Sequence, residues 1–184
     1  LPHIANKFSK GDVKGIRDSL YNSFDFITAI AVPMSFGIMA IAKPFAPWFL
    51  GRQYDAAGTL MMFEAPVILF IAWSNVTGTQ YLMPINRTKE YTVSVTLGAV
   101  VNIIANLFLI ALWGAKGATI ATDISELTVT AVQLYYIKNT ISRRKLFGNV
   151  WKYILSGAIM FIVVYRLALI INMTVVNLVV EVIV

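Results

Sequence analysis

Residues 91–113 of the chain run YTVSVTLGAVVNIIANLFLIALW, 23 positions without one charged side chain. A helix of this length reaches about 35 Å, enough to cross the ~30 Å hydrocarbon layer of a bilayer. Its apolar residues do not alternate with polar ones at every second position, as they would in a strand of a membrane barrel. The stretch therefore predicts a transmembrane helix.

Further apolar stretches flank this helix on both sides. The chain is 58% hydrophobic and only 13% charged, about half the ~25% charged residues of a soluble domain. Such a composition suits a chain whose solvent is the lipid bilayer, where helices satisfy their own backbone hydrogen bonds. We therefore predict an all-α, polytopic transmembrane helix bundle. Its other expected spans are residues 24–42, kinked at Pro33, and residues 59–83, 118–137, 150–171 and 173–184.

These spans divide the 184-residue chain into four parts. Residues 1–22 are basic and predict either an amphipathic helix on the membrane surface or an ordinary connecting loop. Four transmembrane helices are expected within 23–137, with a loop at 43–58 between the first two. A basic loop at 138–149 and two further helices at 150–184 follow. Because the chain starts at Leu1 and stops inside an apolar run, we expect it to be a fragment of a longer protein.

The basic residues predict which ends of the spans face the cytoplasm. Eleven of the 15 Lys and Arg residues fall on one side of the expected spans, three fall on the other, and Arg166 lies inside a span. Cytoplasmic loops carry such an excess of positive charge, which places residues 1–22 in the cytoplasm. Because the charge sits between spans in this way, nucleic acid is not expected as a partner. The eleven are Lys7, Lys10, Lys14, Arg17, Arg87, Lys89, Lys138, Arg143, Arg144, Lys145 and Lys152.

The chain lacks cysteine, and its single histidine is His3. Thiolate chemistry is therefore excluded, and a histidine-based metal site or catalytic triad is not expected. We predict neither a cofactor nor an enzymatic active site.

Four stretches together resemble polysaccharide flippases of the MATE-like (multidrug/oligosaccharidyl-lipid/polysaccharide) exporter superfamily. They are LPHIANKFSKGD at 1–12, VPMSFGIMAIAKPFAPWFLGRQYDAAG at 32–58, SNVTGTQYLMPINRTKEYT at 74–92 and NIIANLFLIALWGAKGATIATDISE at 102–126. The last stretch, an Asn-containing helix with a tight glycine turn, carries the resemblance furthest. The order and spacing of the four, rather than any one of them, make the chain similar to the family.

The resemblance implies two six-helix lobes around a central cavity, with two added helices in many members. Residues 23–137 would then be the last four helices of the second lobe, residues 150–184 the added pair, and the first lobe a missing partner. The implied activity is the flipping of a polyprenyl-pyrophosphate oligosaccharide across the bacterial cytoplasmic membrane for surface polysaccharide export. Alternatives are a drug or cation antiporter, a peptidoglycan-precursor flippase, a sporulation-type relative, a membrane-embedded polymerase or ligase, or a structural membrane subunit.

Three acidic residues lie inside predicted spans. Asp123 and Glu126 are three positions apart and therefore share a helix face, while Glu64 precedes Pro66 in the second span. Charges within a membrane are costly and face the protein interior or a water-filled cavity. The functional interpretation is an ion- or proton-coupling site; the alternative is a salt bridge or a packing contact.

Four polar residues are candidates for contact with the substrate. Arg87 and Lys89 follow the second span and could meet a pyrophosphate entering from the cytoplasm, or could simply orient the chain. Asn102 and Asn106 are four apart on one face of the third span. They would contact the substrate or hydrogen-bond to a neighbouring helix.

Overall fold

The computed structural model describes residues 2–170 of the chain, and side chains within residues 6–167. Every element of secondary structure in this range is a helix, so the predicted all-α fold is confirmed there. The α-helices are α1 Pro2–Ser9, α2 Val13–Leu50, α3 Asp55–Glu64, α4 Val67–Ser74, α5 Thr88–Trp113, α6 Ala115–Ile137, α7 Arg143–Leu146 and α8 Val150–Ile170. A 3₁₀ turn, Arg52–Tyr54, precedes α3, and a π-helix, Asn75–Leu82, continues α4.

Helix α2 is longer than the predicted first span at both ends. Its N-terminus is capped by the side chain of Asp12, which accepts a hydrogen bond from the Gly15 amide at 2.8 Å. Residues 13–22 are thus the first turns of this helix and not a separate surface segment. At its other end the helix runs through residues 43–50, which we expected in a loop, and stops at Gly51, whose φ of 102° favours glycine. Stacking of Phe45 on Phe49, with ring centroids 5.2 Å apart, accompanies the extension.

The predicted second span is broken. Helix α3 ends at Glu64, and the chain bends by 42° before it continues as α4 and the π-helix. We call α4 and the π-helix together, without α3, the bent span. Pro66 stands at the break, where it has no N–H to donate and its ring opposes a continuous helix. The carbonyl of Ala65 is nevertheless satisfied, because the Ser35 hydroxyl of α2 donates to it at 2.9 Å. The bend is therefore held against α2.

Helices α5 and α6 form the tight antiparallel hairpin that the glycine turn predicted. Gly114 turns the chain with a φ of 58°. A side chain on Gly117 would collide with the backbone of Leu109, so the helices can approach closely only because this position is bare. Further along the pair, Gly98 leaves room for Val129, and the hydroxyl of Ser125 donates to the Gly98 carbonyl at 2.9 Å.

Helix α8 packs along α2 and is joined to it by polar contacts near its start. The carboxylate of Asp25 accepts hydrogen bonds from the Tyr153 hydroxyl at 3.0 Å and from the Asn149 amide at 3.1 Å. Gly157 lies so close to Phe36 that a larger residue at position 157 would displace the Phe36 ring. The predicted sixth span, 173–184, lies outside the described residues.

Three stretches of the described chain are long and apolar enough to cross a membrane: Val13–Leu50, Thr88–Trp113 and Arg143–Leu167. The bent span, taken with the preceding Arg52–Glu64 segment as one unit, makes a fourth. Helix α6 is not among them, because threonines, a glutamine and two carboxylates interrupt its apolar sequence. It lies antiparallel along α5 and is nearly as long.

The largest buried side chains cluster at one end of the bundle. Ile16 and Leu20 of α2, the π-helix and the end of α6 pack there around Phe24, Trp73 and Phe147, whose rings stack or meet edge-on with centroids 5.3–5.6 Å apart. The N-terminus of α2, the turn after the bent span and α7 all reach this end. These three segments carry most of the basic residues, and we call this end of the bundle the basic end. At the opposite end an open cleft of about 490 Å³ separates α3 from the α5–α6 turn.

Candidate functional site

The three predicted acidic residues lie on packed helices in the middle of the bundle. Glu64 is the last residue of α3, at the break, and Asp123 and Glu126 are on the facing helix α6. Asp123 is about 12 Å from the start of α6 and about 21 Å from its end at 1.5 Å per residue. All three side chains are half-buried. We refer to Glu64, Asp123 and Glu126 as the acidic group.

The structure brings Asp123 near a carboxylate from another helix. Glu64 is close enough to Asp123 for their charges to interact, although 59 positions separate them in sequence. The sequence paired Asp123 with Glu126 instead, because only the spacing along one helix is visible there. The break at Pro66 is what allows the end of α3 to reach α6 at this point.

Asp123 also has an unsatisfied oxygen. Its Oδ1 atom is buried and has no hydrogen-bond partner among the described residues. An ionised oxygen without partners is costly to keep away from water, so such a group tends to gain a proton, a cation or a donor from elsewhere. A proton or a monovalent cation would supply the partner that Asp123 Oδ1 lacks among the described residues. The described residues contain no set of three or more His, Asp or Glu placed to hold a metal ion.

Below the acidic group, toward the basic end, a buried polar cluster joins three helices. Gln133 of α6 is completely buried; its carbonyl oxygen accepts a hydrogen bond from the Thr77 hydroxyl, and its amide donates to Ser94 of α5 at 3.2 Å. Gly78 lies against the same amide, where an added Cβ would approach within 2.6 Å. We call Gln133, Thr77 and Ser94 the glutamine clasp.

The glutamine clasp was not predicted from the sequence. One signal was present, a lone glutamine in the otherwise apolar and threonine-rich run 127–137. A polar amide in a membrane helix is expected to find partners on a neighbouring helix. Its partners could not be identified from the sequence, because Thr77 lies in a π-helix that the hydrophobic periodicity of the sequence does not predict.

Asn102 and Asn106 bond to each other along α5. The Asn106 amide donates to both the backbone and the side-chain oxygen of Asn102, at 3.0 Å each. Both residues are half-buried and lie on the face of α5 that continues from Ser94 and Gly98 toward α6. The arrangement leaves the Asn106 oxygen and the Asn102 amide available to a further partner.

Arg87 and Lys89 differ in how far the protein already uses them. The Arg87 guanidinium forms an ion pair with Glu90 at 2.8 Å and donates to the Tyr136 carbonyl at 3.3 Å, at the end of α6. It therefore fastens α6 to the start of α5. Lys89 is exposed and makes no side-chain hydrogen bond or ion pair with a described residue. Of the two, Lys89 is the one free to meet an anion.

Comparison with known proteins gives consistent matches. A family model described as "Lipid II flippase MurJ" matches residues 1–184, the whole chain. The chain is 26% identical over 125 residues to the lipid II flippase MurJ of Bacillus subtilis, covering 66% of this chain and 23% of that protein. It is 25% identical over 138 residues to a putative O-antigen transporter of Escherichia coli, covering 75% of this chain and 33% of that protein.

A solved structure has the same fold. It is that of the lipid II flippase MurJ in an inward closed conformation, which matches with a TM-score of 0.80 at 16% sequence identity. The match covers 99% of this chain and 40% of the other. The matched part of the chain thus spans between 23% and 40% of the length of these relatives.

Proposed function

The chain belongs to the lipid II flippase MurJ family, and from this membership we propose that it forms part of a transporter of lipid-linked oligosaccharides. Its substrate is a polyprenyl-pyrophosphate oligosaccharide, moved across the bacterial cytoplasmic membrane for surface polysaccharide assembly. The observation that carries the proposal is the family match over residues 1–184. The MATE-like fold agrees with it, since this superfamily holds flippases and exporters rather than catalysts of bond-breaking reactions.

The geometry suits such an activity. Flipping breaks no bond, but a polar head group must pass an apolar layer, so the protein has to offer polar surface that changes its exposure. The acidic group supplies charge at mid-membrane depth, next to the break between α3 and α4. Binding of a proton or cation between Glu64 and Asp123 would change the repulsion between the end of α3, at this break, and α6, and would thereby bias the conformation. We assign ion coupling to the acidic group on this basis.

The basic end is the proposed cytoplasmic side, where the substrate enters. Eleven basic residues lie in segments that meet at this end, and an inward excess of Lys and Arg is the usual orientation signal. Lys89 is exposed there and is the proposed contact to the pyrophosphate. Arg87 serves the substrate only indirectly, because its donors hold Glu90 and α6. Asn102 and Asn106 are proposed to line the cavity beside the acidic group.

A second substrate is favoured by a specific observation. The matching family model and the B. subtilis relative both carry the name of a lipid II flippase, so the peptidoglycan precursor lipid II is the other candidate. Both substrates share a polyprenyl pyrophosphate and differ in the sugar. In either case the rest of the cavity would come from another part of a longer protein, namely the expected first lobe.

Complementation in two strains separates these substrates. The full-length protein would be expressed in one strain depleted of its own lipid II flippase and in another that lacks its O-antigen transporter. Restored O-antigen on the cell surface without rescue of growth in the first strain supports the proposed substrate. Rescue of growth alone assigns lipid II. If neither strain is rescued while the protein inserts normally, lipid-linked oligosaccharide transport by this protein is contradicted for these two substrates.

A further inference from the structure

An apolar groove of about 610 Å³ runs along the outer surface between α5 and α6. We call it the outer groove. Its walls come from Leu97 of α5 and from Leu127, Ala131, Val132, Tyr135 and Tyr136 of α6. It lies on a different face of α6 from the glutamine clasp, since Gln133 points inward and is fully buried while Leu127 and Tyr135 are exposed. Nothing assigned so far uses this groove.

The length of the outer groove matches one leaflet of a membrane. From Leu127 to Tyr136 it covers ten residues of α6, which rise about 14 Å at 1.5 Å per step. Half of a ~30 Å hydrocarbon layer is about 15 Å. The groove also ends in two tyrosines, the residue type that marks the boundary between hydrocarbon and head groups. It therefore extends from the middle of the layer to the interface at the basic end.

Positive charge stands at the mouth of the outer groove. The ammonium of Lys138 lies 3.6 Å from the centre of the Tyr135 ring, which fixes it over the groove's end. It makes no ion pair with a described residue. Lys89 is exposed at the start of α5, which reaches the same end because α5 and α6 are antiparallel. Lys138 is thus a cation without an ion-pair partner among the described residues, at the position where a lipid phosphate would lie.

From this apolar groove of leaflet length, closed by tyrosines and a fixed lysine, we propose that α5 and α6 hold an anionic phospholipid of the leaflet at the basic end. One acyl chain fills the groove and the phosphate meets Lys138. Anionic lipids are attracted to basic residues at the cytoplasmic surface, and a lysine can reach the head groups while its stem stays against apolar surface. A transmembrane helix is a poorer occupant. Tight helix contacts use small residues, as on the inner face at Gly98 and Gly117, whereas this groove is lined mainly by Leu, Val and Tyr.

The proposal can be tested by photolabelling of the full-length protein in nanodiscs. The probe is phosphatidylglycerol with a photoactivatable group near the end of one acyl chain, and labelled peptides are identified by mass spectrometry. We expect labelling within 127–136, competed by unlabelled phosphatidylglycerol and not by phosphatidylcholine. Lys138→Gln should lower labelling about five-fold, the effect of one basic residue near a membrane surface. The matched control Lys145→Gln removes an equal charge from α7, away from the groove, and should leave labelling unchanged.

A second pair of variants tests the groove itself. Ala131 is exposed, so Ala131→Trp should fill the groove without disturbing the core and should abolish labelling. Ala111→Trp adds the same bulk to an exposed site of α5 outside the groove and should have no effect. Equal competition by phosphatidylcholine, or labelling that survives Ala131→Trp, would overturn the proposal. Stronger competition by a polyprenyl phosphate would assign the groove to the transported lipid instead. A cysteine at position 131 shielded from a membrane-soluble thiol reagent, with no lipid label, would assign it to another segment of the protein.

Discussion

The side-chain oxygens of Thr77 and Gln133 lie 2.5 Å apart, although the two residues are 56 positions apart in the chain. The contact joins the π-helical end of the bent span to α6 at a point that water does not reach. Gln133 also donates to Ser94, so one side chain connects three helices.

Replacing Gln133 by Leu should destabilise the bundle. The change removes the bonds of the buried amide to Thr77 and Ser94, whose hydroxyls keep only their bonds to the Trp73 and Tyr91 carbonyls. Each intramolecular hydrogen bond that is lost contributes about 0.5–1.5 kcal/mol. We expect a lower unfolding temperature in detergent and less protein in the membrane. Gln53→Leu, at an exposed position in the 3₁₀ turn, is the control. Equal unfolding temperatures for the two variants would mean that the clasp contributes nothing to stability.

Gly98→Ala should push α5 and α6 apart. An added Cβ would overlap a methyl group of Val129, and overpacking of this kind costs about 1–3 kcal/mol. Combining it with Val129→Ala frees the space, so the double variant should recover most of the loss. Gly37→Ala is the matched control, because its Cβ would meet only the end of Met160 at an ordinary 3.6 Å. Thermal unfolding of the wild type, the two single variants and the double variant measures the coupling between positions 98 and 129. Strictly additive losses of stability would refute the overlap.

Removing charge from the acidic group should uncouple transport. In the full-length protein, Asp123→Asn with Glu126→Gln keeps the side-chain shapes but removes two charges, and Glu64→Gln removes the charge that faces Asp123. We expect transport in liposomes to lose its dependence on the ion or pH gradient while the protein inserts at normal levels. Wild-type rate and ion dependence in these variants would leave the three residues with a packing role alone.

Arg87 and Lys89 should respond differently to the same substitution. Arg87→Gln breaks the ion pair with Glu90 and the bond to the Tyr136 carbonyl, so it should lower the unfolding temperature. Lys89→Gln should leave stability within about 0.5 kcal/mol, as surface changes usually do, and lower the rate of transport. Binding of a polyprenyl pyrophosphate to both variants distinguishes the roles. Unchanged binding to Lys89→Gln would remove this lysine from the entry site.

The orientation can be tested by thiol labelling, because this segment contains no cysteine. Ser142 and Gln53 are both exposed and lie toward opposite ends of the bundle. In a cysteine-free full-length protein in intact cells, an impermeant thiol reagent should label a cysteine at position 53 and not one at position 142. Permeabilised cells provide the control, in which both positions should react. The reverse pattern in intact cells would invert the assigned topology.

The sequence was sufficient for the helical fold and for the hairpin, because both depend on local signals. An uncharged run of membrane-spanning length predicts helix α5 regardless of where this helix lies in the bundle. Glycines at 114 and 117 predict a tight turn because other residues are strained or too large there. The end of α2 was placed wrongly: residues 43–50 were expected in a loop, yet they continue the helix, with Pro44 and Pro47 inside it.

The candidate site was only partly accessible from sequence. Carboxylates inside apolar spans stand out individually, so Glu64 and Asp123 could be selected as candidates. Their proximity depends on the 42° bend and on how α3 meets α6, which no spacing encodes. The ion pair between Arg87 and Glu90 joins residues three positions apart and could have been predicted from the sequence. The hydrogen bond from Arg87 to the Tyr136 carbonyl could not.

The clustering of the largest buried side chains at the basic end implies that the two halves of the bundle differ in how readily their backbones open. Slow amide hydrogen exchange is expected where buried contacts are dense, around Phe24, Leu82 and Ile137. Around the cleft lined by Thr59, Trp113 and Lys116 fewer contacts must break, so exchange there should proceed through small local openings. Local openings at the cleft end can then occur while the basic end stays folded.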